Sequence, residues 1–251
     1  MNLGKQEKEY GSIFDLRGKW YHQSMMKIPD ARDEEFKLLL KGISLKPVEA
    51  VLDFPSGGGY LKHYLPKSIK TYELETSKAF ARISRCKISD WSSIPFSNEK
   101  FNAIFCCASL HHVSKANRKN FLSEAYRILK PGGILCIADI DKNEPVALFL
   151  NGFVNRYNSM GHDGDFLYSK SASEFAGKKF KVIRNELCRY HWYLHKNILA
   201  SLSFIKLMFG IDKVDYKSLE TYLEKNLNLI RNENKRWIIN WSLRYIFLQK
   251  P

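Results

Sequence analysis

Three consecutive glycines, Gly57, Gly58 and Gly59, stand directly behind the apolar run Val51, Leu52, Asp53, Phe54 in the stretch VLDFPSGGGYL. Glycine admits backbone conformations closed to residues with a Cβ and lets a ligand approach the main chain closely. The apolar residues from Tyr60 to Leu65 then resume at helical spacing, predicting a strand, a glycine turn and a helix. That order is how a Rossmann-type sheet presents a nucleotide site. A second group able to do chemistry is imidazole: His111 and His112 follow the run FNAIFCCASL, and His162 sits beside Asp163 between Gly161 and Gly164. Such rings change charge near neutral pH and accept protons. The five cysteines, Cys86, Cys106, Cys107, Cys136 and Cys188, are odd in number and form no CxxC pair. Most lie in apolar runs, so they read as reduced core residues rather than a disulfide frame, a metal site or a nucleophile. No metal is expected.

The elements that must position these residues follow from periodicity. Residues 10–43 carry helical signals, with an Asp start and acidic first turn in IPDARDEEFKLLLKGI. Strands are predicted at about 49–54, in IKTYELE, briefly near CKISD, in FNAIFCCAS and in GILCIADI, with helices between them, one of them RKNFLSEAYRIL. This alternation implies a parallel, doubly wound α/β sheet. Later the pattern changes: FKVIRNELCRYHWYL and RWIINWSLRYIFLQK read as long strands that pair antiparallel at the sheet edge. The aromatics and cations of RYHWYLH read there as sheet packing rather than base stacking. Helical insertions at 145–176 and between the two late strands are expected over the strand ends, where open α/β sheets bind ligands. The expected organisation is one domain: an N-terminal helical cap over 1–45, a cofactor-binding core over 46–140, a lid insertion over 141–179, and late strands with a helical insertion over 180–251.

The 251 residues, 45% of them hydrophobic, suffice for a full core. No stretch approaches the ~18 apolar residues of a membrane span, and MNLGKQEKEY lacks the apolar region of a secretory signal, which sets the expectation of a cytoplasmic protein. Forty Lys and Arg against 26 Asp and Glu give a net charge of +14, spread over both halves. A diffuse basic surface favours acidic partners by steering, or serves solubility.

Order and spacing of further landmarks resemble one family, the class I S-adenosylmethionine-dependent methyltransferases of the small-molecule type that includes the ubiquinone/menaquinone and malonyl-carrier enzymes. The resemblance spans roughly 48–140 and implies a Rossmann-like, seven-stranded, mostly parallel sheet with an antiparallel late pair. In the family's first motif an acid precedes Gly-x-Gly-x-Gly. Asp53, Pro55, Gly57 and Gly59 occupy those places around Ser56, so the first glycine is a proline. The resemblance makes Glu75 of LETS the carboxylate that accepts both ribose hydroxyls, with Glu73 as rival two residues earlier. It makes Asp90 the acceptor of the adenine amino group and Trp91 its packing partner, in SDWSSIPF, and sets Ala108 beside the cofactor at the end of strand four. LKPGG, Leu129 to Gly133, is the turn into strand five. A dinucleotide dehydrogenase would share the glycines but not SDWSSIPF or LKPGG. By looser analogy Arg17 and Tyr21 bind the cofactor carboxylate, Arg offering a planar fork of donors.

What the resemblance implies for chemistry is transfer of a methyl group from S-adenosyl-L-methionine to an oxygen or nitrogen of a small-molecule or acidic carrier-bound acceptor. His111, His112 and His162 are the candidate bases, the first two readable equally as turn or cap residues and His162 as reaching the acceptor from a mobile lid. A carboxyl O-methyltransferase acting on a carrier thioester needs no base and stays open, as does a non-catalytic adenosylmethionine-binding protein. A nucleic-acid acceptor is not expected, since no RNA-binding module or Asn-Pro-Pro-Tyr motif is present.

Overall fold

A computed structural model describes residues 9–251; the first eight residues of the expected N-terminal cap lie outside the described residues. Helices α1 (Tyr10–Lys27) and α2 (Asp33–Leu40) precede β1 (Ala50–Asp53), β2 (Lys70–Glu75), α3 (Lys78–Ser84), β3 (Lys87–Ile88), β4 (Phe101–Cys107), α4 (Lys115–Ile128) and β5 (Leu129–Asp139). Then α5 (Pro145–Leu148) runs through a π-helical segment (Phe149–Val154) into α6 (Asn155–Tyr157), followed by α7 (Ser171–Ala176) and β6 (Lys181–Tyr193). Helices α8 (Ile198–Phe209) and α9 (Tyr216–Leu227) lead to β7 (Ile230–Arg231) and β8 (Trp237–Gln249).

The strands form one sheet in the order β3-β2-β1-β4-β5-β8-β6, with β7 attached to β8. Pairings from β3 to β5 are parallel and those of β8 with β5, β6 and β7 antiparallel. The expected mostly parallel sheet with late antiparallel strands is thus present, its seven-strand path extended by the two-residue β7. Successive strand residues face opposite sides. Val51, Phe105 and Ala138 enter one core with Trp192, Phe204 and Trp241 under α2, α8 and α9, while Leu52, Ile104 and Ile137 enter the other with Phe80 and Phe121 under α3 and α4.

Two local expectations are revised. The helix expected after the glycines is only a 3₁₀ turn (Leu61–Tyr64), because Pro66 forces Leu65 into extended backbone. The short segment after β2 still holds a seven-residue helix, α3, capped by the Ser77 hydroxyl accepting from the Phe80 amide and stopped by Arg85 in the left-handed region. LKPGG lies inside β5 as its irregular start, with Gly132 at φ 76° and a register shift against β4. No helix among the described residues is long and apolar enough to cross a membrane.

Candidate active site

Two adjoining chambers open at the carboxyl ends of β1, β4 and β5, roofed by α1. The first is lined by Asp53, Pro55, Ser56 and Gly57 after β1, by Ala108 after β4, and by Tyr10 and Tyr21 of α1. The second is lined by Arg17, His111, His112, His162 and an aromatic wall of Trp192, Phe209 and Trp241. Phe14, Tyr21, Arg32 and Ala108 belong to both. Ala108 adopts φ 48°, a left-handed conformation costly for a residue with a Cβ, while its amide donates to the Ala138 carbonyl at 2.7 Å. Strain at a junction of two chambers is where function tends to hold backbone in place.

The first chamber is acidic. Asp53 is buried, and its carboxyl has no hydrogen bond among the described residues; burial, then Glu73 and Glu75, raise it well above the usual carboxylate value. Glu75, fully buried at the end of β2, accepts from the Gly57 amide at 2.6 Å, the Thr76 amide at 2.7 Å and the Ser77 amide at 2.9 Å. Burial pushes it to about 7 against the pull of those amides. The Tyr10 hydroxyl covers it at 3.5 Å. Gly59, at φ 76°, packs where a Cβ would meet Glu73 Oε1 at 2.6 Å, so the turn requires glycine.

The second chamber is basic and imidazole-rich. His111 Nδ1 lies 2.6 Å from Asp139 Oδ1, and its amide donates to Oδ2 at 3.1 Å. Burial favours the neutral Asp139 acid, but the His111 charge and hydrogen bond outweigh it and hold the carboxyl below its ordinary value. With a carboxylate on Nδ1, that nitrogen carries a proton, and Nε2 is the ring atom left for another partner. His162 is fixed the same way. Asn151 donates from Nδ2 to the Gly164 carbonyl at 2.9 Å and accepts the Gly164 amide on Oδ1 at 2.8 Å, so the Oδ1 that meets His162 Nδ1 at 2.8 Å is an acceptor. The His112 ring lies 4.1 Å from that of His111 and 4.9 Å from that of His162. Burial first, then His111 and Arg17, hold His112 and His162 well below the usual imidazole value, so both are neutral. One nitrogen of each ring falls within 4.8 Å of the others. Three imidazoles so placed suit a divalent cation, but the Arg17 guanidinium beside them opposes a further positive charge.

The residues expected to act together therefore divide. Asp53, Pro55, Ser56, Gly57, Tyr21 and Ala108 line the first chamber, whereas Arg17, expected beside them, lines only the second. Glu75 and Gly59 do not line the first chamber, though Glu75 holds the Gly57 amide of its wall. Trp91 is buried against Phe54 and Phe121, with ring centroids at 4.9 and 5.5 Å. Asp90 is exposed, and its Oδ1 accepts from Ser92 and Ser93 at 2.7 to 2.8 Å, so a role toward adenine falls to Oδ2. Sequence reasoning passed over Asp139, the acid ending GILCIAD, which was there to be noticed as the last residue of a buried strand. It also passed over Asn151, the lone polar residue in ALFLNGF, and the ion pair of Arg32 Nε with Glu35 Oε2 at 3.2 Å between the chambers.

Residues 52–137 match the methyltransferase domain family. Over this segment the chain resembles the class I S-adenosylmethionine-dependent methyltransferases. An uncharacterized methyltransferase of Synechocystis sp. is 28% identical over 138 residues, covering 48% of this chain and 64% of that protein. Among solved structures, a putative methyltransferase from Bacillus halodurans superposes with a TM-score of 0.59 at 19% identity over 87% of this chain and 99% of the other. A phosphoethanolamine N-methyltransferase of Haemonchus contortus, solved with phosphomonomethylethanolamine and S-adenosylhomocysteine, gives 0.59 at 13% identity over 97% of this chain and 60% of its own. These structures share the methyltransferase fold. S-adenosyl-L-methionine is the cofactor of this class, and the first chamber fits it: an unpartnered buried carboxyl suits a cationic ligand, and the glycine turn offers bare backbone.

Proposed function

We propose that the chain transfers a methyl group from S-adenosylmethionine in the first chamber to an oxygen or nitrogen of a small molecule in the second. The observation that carries this reading is the meeting of the two chambers at Ala108, with the Asp139–His111 pair on the acceptor side. Bound S-adenosylmethionine supplies an activated methyl on a sulfonium. Gly57 and Ser56 would cradle it, Asp53, once ionised, would match its positive charge, and Glu75 would accept from its ribose hydroxyls where the Tyr10 hydroxyl now covers it. The protein must then align the acceptor and take up its proton. Asp139 orients His111 and fixes its tautomer, so that Nε2 accepts the proton from an acceptor hydroxyl or amine. The aromatic wall keeps water from the reacting pair.

The test is methyl transfer from isotopically labelled S-adenosylmethionine, with candidate acceptors screened against the purified chain. His111→Ala is expected to lower turnover by about 10²- to 10⁴-fold, the usual worth of a general base, with cofactor affinity near wild type by calorimetry. Retention of most activity by His111→Ala would remove the base and favour a carboxylate acceptor. Failure to bind S-adenosylmethionine at all would sink the reading.

A further inference from the structure

The donors and acceptors of the second chamber do not balance. Arg17 is 4% exposed, and its guanidinium makes one hydrogen bond among the described residues, Nη2 to the Met208 carbonyl at 2.8 Å. Its Nε is buried without a partner, and no acidic side chain of the described residues lies within ion-pair distance. Glu35, the carboxyl lining this chamber, is committed to Arg32, and Asp139 to His111. Trp192, which lines the same chamber, has a buried indole N–H that is also without a partner. Buried donors left unpaired are costly, and a buried unpaired cation more so. On the other side, Nδ1 of His111 and of His162 is taken up by Asp139 and Asn151, which leaves each Nε2 to meet a ligand. What fits such a chamber supplies anionic oxygen to Arg17 and Trp192 and an O–H or N–H to an imidazole.

Building on the methyltransferase reading, we propose that the methyl acceptor is an organic acid: a carboxylate held by Arg17, with Trp192 as a second donor, on a molecule whose hydroxyl or amine meets His111. The wall suits a planar body, since Trp192 and Trp241 stack with centroids 4.0 Å apart at 23° and Phe209 lies parallel to Trp192 within 7°. Arg17 is set here by the fold. The chain at Gly210 adopts φ 65°, and a Cβ there would come within 2.8 Å of Arg17 Nε, so glycine leaves room for the guanidinium. The two chambers then carry opposite polarity, acidic toward a cationic methyl donor and basic toward an anionic acceptor.

The test uses the whole chain saturated with S-adenosylhomocysteine and needs no turnover. Benzoate and 4-hydroxybenzoate are titrated against their amides, benzamide and 4-hydroxybenzamide, following quenching of tryptophan fluorescence and confirming by calorimetry. At least one acid is expected to bind about 10- to 100-fold more tightly than its amide, the range for a charge-assisted hydrogen bond. Arg17→Gln is expected to erase that preference and Arg17→Lys to keep part of it, with S-adenosylmethionine affinity unchanged in both. If no acid outbinds its amide, or if Arg17→Gln leaves the preference intact, the proposal is wrong. Loss of S-adenosylmethionine affinity in both Arg17 variants would overturn it in favour of a cofactor-carboxylate role. Because cofactor binding is measured separately, failure of the acid preference leaves the methyltransferase reading standing. Should Arg17→Gln not fold, the Arg17→Lys titration and the wild-type acid-to-amide ratio still decide.

Discussion

Glu75 holds a carboxyl in a fully buried place where three amides favour its charge and desolvation opposes it, and desolvation prevails, leaving it at about 7. A carboxyl raised above its unfolded value of ~4.3 stabilises the folded chain most fully below that value. The contribution is lost as pH rises through about 7. Thermal unfolding of the cofactor-free protein should therefore show stability falling across that window, and Glu75→Gln should flatten the slope. The same substitution is expected to weaken S-adenosylmethionine binding by about 1.5–3 kcal/mol, measured by calorimetry. Position 75 was readable because its distance from the glycines is set by one strand and one turn. Arg17 was not: its surroundings are the Met208 carbonyl and Gly210, far along the chain, which spacing cannot bring together. His162 stood out by residue type, but the Asn151 amide that fixes its tautomer is identified only by the fold.

At the scale of elements, strand and helix order followed from periodicity because β1, β4 and β5 are buried on both faces and read as unbroken apolar runs. The placement of β8 between β5 and β6 did not emerge from the pattern, since both late segments read simply as long strands. The distinguishing signal was charge. Strand β6 carries Lys181, Arg184, Glu186 and Arg189 and lies at the edge, whereas β8 has only Arg244 and lies inside, where a charge needs a partner. Arg244 finds one in Asp141, Nε to Oδ2 at 2.5 Å. The end of α8 shows how a helix stop serves the site: Gly210 is its left-handed cap and stands against Arg17. Gly210→Ala is expected to cost about 1–2 kcal/mol for the left-handed backbone alone, and more from the contact with the guanidinium. Urea unfolding checks this, an unchanged midpoint arguing that the α8 cap relaxes freely.

Over the whole molecule the net charge of +14 remains general, whereas the chambers differ in kind, with the raised carboxyls of Asp53 and Glu75 at one and the cation Arg17 at the other. The sheet distributes firmness unevenly. Strands β5, β8 and β6 are joined over long registers and carry Trp192 and Trp241, so the acceptor wall belongs to the firmest part of the chain. The roof belongs to α1, which packs on α3 and α8 through side chains such as Tyr10 and Phe14 rather than through a strand ladder. Residence times of both ligands are then expected to depend on one helix, since α1 residues line both chambers and each ligand that touches them would slow the escape of the other. Amide deuterium uptake should accordingly be fast in α1 and slow in β8 without ligand, with S-adenosylhomocysteine protecting α1 most, and equal uptake in the two would refute a roof that opens on its own.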